Sequence, residues 1–410
     1  MIRRIDISGY RSCLRTVFLP HPRLSVLIGP NASGKTNILN AVLLLNQLAR
    51  GRFARRAPEK RIYAPVSIRV VFAIRGRIVT LNAKLQIDTD ETNDDVIVQS
   101  TERWSIPDRS GKQRHYNVPL VAALPRSRMR LPHHTMWHVP PQYPRLAGRF
   151  FDPSKLPPDV RSVIQEISQF LSRLNYYGAS QFTNPGNCPS SIELDEGGRL
   201  IPSYRTGSHE SFVIDLYNQY RLLKNPSFQQ FLDVIGPRGM RLIDRMTFRR
   251  ITLSSVQYSI RPGIRIRKQT RGRFLIIPQF RLGRHTLSPN QLSQGTFRAI
   301  VLVFYIMTRA SRMLLIEEPE VCVHHGLLAS IVELVKSQVT DKQIVVTTHS
   351  DFVLDHVQPE SVFRVALNKR TGTTVSTIAA SMSARELGAL RTYLATEGNL
   401  GEYWRHGGLE

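Results

Sequence analysis

The chain has 410 residues, 41% of them apolar, which suffices for one large or two ordinary domains with substantial cores. A formal net charge of +25, from 56 Lys+Arg against 31 Asp+Glu, points to polyanionic partners. No window of eighteen apolar residues occurs, and residues 1–6 lead into alternating sequence rather than a secretory apolar region, so a cytoplasmic protein without a membrane partner is expected; Cys13, Cys188 and Cys322 form no CxxC pair, which argues against a disulfide frame or zinc site.

Residues 24–28 form a short apolar run that reads as a buried strand, and residues 37–48 carry apolar side chains at helical spacing. Between them Gly29-Pro30-Asn31-Ala32-Ser33-Gly34-Lys35-Thr36 fits the phosphate-binding pattern GxxxxGK[ST] at every fixed position. Glycines there let backbone N–H groups close on phosphates, Lys35 reaches the β/γ-phosphates, and the Thr36 hydroxyl ligates magnesium. The pattern therefore predicts binding of a nucleoside triphosphate, ATP with Mg2+. Ala32 stands where glycine is frequent, a position expected not to need glycine geometry.

Farther along, residues 69–86 alternate as a strand does and lead to an acidic turn, residues 88–95. That turn lacks the glycine and terminal glutamate of a calcium loop and reads as a solvated hairpin. Residues 101–150 are rich in proline, arginine and histidine with no clear period, and read as a surface lid or docking insert; the histidines at 133, 134 and 138 have no cysteine or carboxylate beside them to support a metal site. Helices are predicted over residues 157–174 and from residue 210 to 222, and nothing sustains heptads, so a long coiled coil is excluded.

The charge is densest between Arg238 and Arg284, where Arg265, Arg267, Arg271 and Arg273 are among eleven basic residues set against a single acid, Asp244. Apolar alternation puts arginines on one strand face. A solvated face, a phosphate-tracking surface for nucleic acid and a dock for an acidic partner all fit this stretch.

Three motifs follow in the last third. Ser293-Gln294-Gly295-Thr296 opens a long apolar helix, a second helix N-terminus suited to anions. Residues 313–316 form a buried-strand run ending in Glu317-Glu318-Pro319-Glu320. Two adjacent acids at a strand tip repel unless a cation lies between them. The run looks like a Walker B element, and that likeness implies that Glu317 holds magnesium opposite Thr36 and that Glu318 orients or deprotonates the attacking water. Residues 343–347 form another buried strand, followed by Thr348-His349-Ser350, which places His349 level with the phosphate loop at the ligand edge of an α/β sheet.

The order GPNASGKT, LSQGT, LLIEEPE, VTTHS resembles the ABC-type ATPase heads of the RecF, SMC and OLD proteins. The opening strand and turn around Arg11 and the close at residues 398–409, similar to short stand-alone bacterial members of anti-phage systems such as PARIS or Septu, extend the likeness. The resemblance implies an α/β fold: a mixed β core with a parallel sheet and a helical or irregular insert. It divides the chain into residues 1–100 with the phosphate loop, 101–285 as insert and helical lobe with basic strands, and 286–410 with the remaining motifs. It implies a homodimer or higher homo-oligomer in which Ser293, Gln294 and Gly295 cap the γ-phosphate bound by the other subunit. By the same likeness His349 senses the γ-phosphate, Arg11 contacts phosphate or ribose, Asn37 belongs to the nucleotide loop, and Gln181 is the glutamine that joins Thr36 and Glu317 at the metal. The output it implies is ATP-driven control of an effector encoded nearby, a nuclease or toxin, in phage defence; the alternative is a RecF-like DNA-binding ATPase in repair. No nuclease motif of its own can be picked out. Departures are Glu317 in place of the usual aspartate, LSQGT in place of a transporter's LSGGQ, and His324-His325 without the proline common after EEPE.

Overall fold

The computed structural model describes residues 1–51, 65–89, 95–108, 110–120, 155–198, 201, 208–222, 225–259, 267–307, 311–321, 323–340, 342–396 and 398–407. The histidine cluster at 133–138, the centre of the acidic turn, residues 264–266 and Cys322 lie outside them. The chain forms two compact units: Met1–Tyr176 with Ala310–Glu320 and Val332–Glu410, and Tyr177–Arg309 with Val321–Ile331.

The first unit holds two sheets. One is antiparallel, in the order β2-β1-β4-β5-β6-β7: β1 (Ile2–Tyr10), β2 (Cys13–Phe18), β4 (Val66–Ile74), β5 (Arg77–Thr89), β6 (Asp95–Pro107) and β7 (Gln113–Asn117). Alternation builds it: Ile5, Ile7, Ile68, Val70, Leu81 and Ala83 all face the core, fully buried. The alternating stretch 69–86 is thus two strands, turned at Arg75-Gly76, and residues 101–117, which carry no readable period, complete the sheet. β7 escapes sequence reading because it is an exposed edge whose polar side chains give no hydrophobic signal, and in β6 the polar Ser100 and Glu102 occupy buried positions in line with Trp104 and Ile106.

The other sheet runs β16-β15-β3-β14-β13-β8, with β3 (Leu24–Ile28), β8 (Asn175–Gly178), β13 (Met313–Glu317), β14 (Gln343–Thr347), β15 (Val362–Asn368) and β16 (Gly372–Thr377). Its four central strands are mutually parallel. Every residue of β3, β13 and β14 is buried, which explains why they read as continuous apolar runs rather than alternating ones. Helix α1 (Lys35–Arg50) buries Ile38, Leu39, Val42 and Leu45 in the same core, and α2 (Pro158–Ser172) adds Val163, Ile164 and Ile167.

In the second unit, α3 (Ser208–Arg221), α4 (Pro226–Ile235) and the largely apolar α5 (Gln294–Met307) share an aromatic cluster in which Phe212 meets Phe297 and Phe304 edge-on at 5.8 and 5.5 Å. Beside these helices lies an antiparallel sheet of β10 (Arg245–Ser259), β11 (Arg267–Leu282) and β12 (His285–Leu287), with β9 (Ile192–Asp195) paired on β11. The basic stretch is therefore a long hairpin, and its opposition by one acid does not survive folding. β9 brings Glu193 to 3.6 Å from Arg273, and Glu196 accepts a hydrogen bond from Gly272 N. Arg250 lies 3.6 Å over the Phe274 ring.

Candidate functional site

The register of the parallel strands assembles the site. Glu317 pairs with Thr347, and Thr347 with Leu27, so the C-terminal ends of β13, β14 and β3 are level. The phosphate loop, Glu318 and His349 all emerge from that edge, where an open α/β sheet binds ligands.

The loop is held by a framework that sequence reading missed. Thr373 Oγ1 donates to Ser33 O (3.0 Å) and shares a 2.8 Å hydrogen bond with Ser12 Oγ, which also accepts from Asn37 Nδ2 at 2.7 Å. This closeness explains the fixed glycines. At Gly34, with φ +102°, a Cβ would overlap Thr373 Oγ1 and lie 2.7 Å from Ser12 Oγ; at Gly29 it would overlap the Val365 carbonyl. Thr373 lies beyond all the motifs, and a lone threonine in a hairpin gives no signal. Asn37 therefore braces the loop through Ser12.

Ala32 corrects an expectation. Its φ is +62°, so this position does adopt the left-handed conformation that glycine takes without strain, and the alanine occupies it at a cost. Asn31 and Ala32 are exposed at the loop tip, Ser33 is buried, and its N donates to Pro30 O at 3.3 Å.

Lys35, 6% exposed, donates from Nζ to Gly29 O (2.9 Å) and Pro30 O (3.0 Å). Burial pushes its ammonium below the ordinary lysine value, against the opposing pull of Glu318, Glu320 and Glu317. Among the described residues its hydrogen bonds go to two loop carbonyls, and a buried cation held this way is the environment a polyphosphate fits.

Glu317, 9% exposed, accepts hydrogen bonds from two hydroxyls, Thr36 Oγ1 on one oxygen and Tyr176 on the other. Hydroxyl and carboxylate oxygens side by side are a hard donor set that fits Mg2+. Tyr176 is unforeseen in this role, and the two units divide between it and Tyr177. Its phenol is held protonated first by burial and then by the charge of Glu317. Gln181 lies five residues on, exposed, in a short 3-10 turn, Ala179–Phe182, of the second unit.

Glu318 takes φ +48°, unusual for a side chain of this size, with its N donating to Thr347 O at 2.9 Å. That backbone turn brings its Oε1 to 3.8 Å from His349 Nε2. The His349 turn is fixed in turn by Glu320, whose Oε1 accepts from His349 N (2.7 Å) and Thr348 Oγ1 (2.9 Å), while its Oε2 is buried without a hydrogen-bond partner. Arg11 sits at the β1–β2 turn with φ +49°, its guanidinium 5.4 Å from the Tyr10 ring centroid.

The structure thus brings Lys35, Thr36, Glu317, Glu318 and His349 together in the first unit. Ser293, Gln294 and Gly295 belong to the second. There Ser293 Oγ accepts from Thr296 N at 3.2 Å and caps α5, the Gln294 side chain donates to Thr183 O, and Arg298, 2% exposed, donates to Phe182 O at 3.0 Å.

Phosphate-loop chemistry on one edge of parallel strands, with a second unit inserted into the chain between them, defines the class: an ABC-type ATPase head of the RecF and SMC group. More particularly, the chain belongs to the family described as AAA domain, putative AbiEii toxin, Type IV TA system, whose model matches residues 24–139 and 210–355, more than half of its length. It is similar to the DNA replication and repair protein RecF of Pelotomaculum thermopropionicum (36% identity over 89 residues, 21% of this chain and 24% of the relative) and of Desulforamulus reducens (37% over 41 residues, 10% and 11%). The matches therefore span about a tenth to a quarter of the curated relatives' length. Among solved structures it is similar to the SMC head domain from Thermotoga maritima (14% identity, TM-score 0.43, covering 92% of this chain and 98% of that one) and to an SmcHead bound to the C-winged helix domain of ScpA (13%, 0.47, 95% and 99%). Among the described residues no helix is long and apolar enough to cross a membrane.

Proposed function

We propose that this protein binds and hydrolyses ATP and uses the resulting dimer closure to control a partner effector, a nuclease or toxin, in phage defence. The observation that carries the hydrolytic part is the shared edge: Lys35, the Thr36–Glu317 pair, Glu318 and His349 surround one space at the ends of adjacent strands. In this reading the loop N–H groups and Lys35 bind the β/γ-phosphates, Glu318 takes the proton of the attacking water, and His349, 3.8 Å from Glu318, contacts the γ-phosphate. Thr36 and Glu317, with Gln181 by family likeness, would hold magnesium, which when bound neutralises charge developing on the phosphates. Ser293, Gln294 and Gly295 cap the γ-phosphate of the second subunit, and Arg11 contacts phosphate or ribose. A place in a toxin or defence system is in keeping with the description of the family, which names a putative toxin; control of a separate effector follows the likeness to short stand-alone ATPases of anti-phage systems.

Glu318→Gln tests the core of the reading. The amide still orients water but accepts no proton, so hydrolysis falls by ~10²–10⁴-fold while ATP stays bound and a closed dimer accumulates. Near wild-type turnover would remove Glu318 from the role. A second reading, a RecF-like DNA-binding ATPase, is favoured by the two RecF relatives and the basic hairpin. Salt-sensitive DNA binding that strengthens with ATP would select it; co-purification of a neighbouring gene's product would select effector control.

A further inference from the structure

The segment from Gly398 to Arg405 takes no part in the nucleotide chemistry above, yet it packs on the residues that follow His349. Next after α6 (His325–Gln338), helix α7 (Asp351–Leu354) begins two residues after that histidine and is a single turn, too short to hold itself together in water. With α8 (Ile378–Ser381) and α9 (Ala384–Thr396) intervening in the chain, α10 (Leu400–Arg405) lies directly against it. The approach is close enough to demand glycine: a Cβ on Gly401 would overlap the Asp351 carbonyl oxygen and Asp355 Oδ1, and would stand 2.8 Å from the Asp351 carbonyl carbon. One turn later Arg405 Nε pairs with Asp351 Oδ2 at 2.8 Å. Leu400, Val353 and Leu354 are buried.

The docked helix is itself set rigidly. Asn399 accepts from Glu402 N at 2.9 Å while the Glu402 carboxylate accepts from Asn399 N at 3.3 Å, a reciprocal capping box. Gly398 leaves no room for a Cβ between the Tyr393 ring and Glu402, and its N donates to Tyr393 O at 3.1 Å. The contact is kept although it leaves Asp355 Oδ1 buried without a hydrogen-bond partner, an arrangement that stability alone disfavours. His349 therefore sits between two anchors: Glu320 on its own backbone N–H, and a one-turn helix gripped by α10.

We propose that residues 398–405 form an intramolecular clamp that positions His349. Gly401 and Arg405 hold α7, and α7 fixes the main chain on which the imidazole is carried. Arg405 and Gly401 are positioning residues and touch no reacting group. The proposal rests on the reading of His349 as the γ-phosphate contact.

The test uses the full-length protein with Gly401→Ala, which forces α10 from α7, and Arg405→Ala, which removes a half-exposed ion pair and should give a smaller loss in the same direction. Because misplacing a catalytic group by about 1 Å can cost on the order of 10²-fold, Gly401→Ala should lower kcat by about tenfold or more with KM for ATP within about twofold. Amide exchange over residues 350–355 should quicken in both variants. Exchanging the charges in Asp351→Arg/Arg405→Asp should restore kcat toward wild type. In a His349→Ala background Gly401→Ala should cause no further fall, since both act through the same imidazole. Unchanged kcat, or losses that multiply with His349→Ala, would overturn the clamp. Should His349→Ala alone hydrolyse ATP normally, the sensor reading fails; the clamp is then decided by amide exchange, and unchanged exchange rejects it.

Discussion

Replacing Ala32 by glycine should stabilise this protein. The residue is exposed at the tip of the phosphate loop with φ +62°, a conformation that costs an L-residue with a Cβ about 1–2 kcal/mol. Glycine removes that cost but adds unfolded-chain entropy worth about 0.4–1 kcal/mol. Exposure means that the lost methyl forfeits little burial, so the net gain is about 0.5–1 kcal/mol. Urea unfolding of the nucleotide-free protein measures it as a higher midpoint at unchanged slope. The contrasting variant is Gly34→Ala, whose Cβ would overlap Thr373 Oγ1 and which should lower both stability and ATP binding. A destabilised Ala32→Gly protein would refute the assignment of strain to this position.

Lys35→Ala should abolish binding of a fluorescent ATP analogue, since its ammonium is the buried cation of the loop; retained affinity would sink the site. Asp355 is predicted to make stability pH-dependent. Burial raises its carboxyl above the ordinary 3.8, against Arg405 and His356 and together with Asp351 and Glu402, so its favourable contribution is complete below that value and is lost as pH rises through the raised one. Asp355→Asn should therefore be slightly more stable than wild type above the raised pKa, with the advantage gone in acid; equal urea midpoints at both pH values would contradict this. If the basic hairpin tracks DNA, changing Arg265, Arg267, Arg271 and Arg273 to alanine should lower the log–log salt slope of binding by up to ~0.9 per lost phosphate contact, with DNA-free ATPase intact; an unchanged slope would leave the hairpin to a protein partner.

The elements that carry the proposed nucleotide site were legible in the sequence because they rest on local rules. A phosphate loop needs its glycines and lysine at fixed spacing, and a buried parallel strand is apolar at every position, so β3, β13 and β14 and the acids at their tips stand out unaided. Contacts between distant segments leave no such trace. Thr373 braces the loop from 340 residues beyond Ser33, Tyr176 reaches Glu317 across 141, and Glu193 answers an arginine stretch that looks unopposed in the chain. Only the tertiary structure decided these pairings, and with them the left-handed turn at Ala32 and the packing of α10 behind His349. Each depends on which strands become neighbours and in what register, a choice made by burial of the whole core rather than by any residue's own preference.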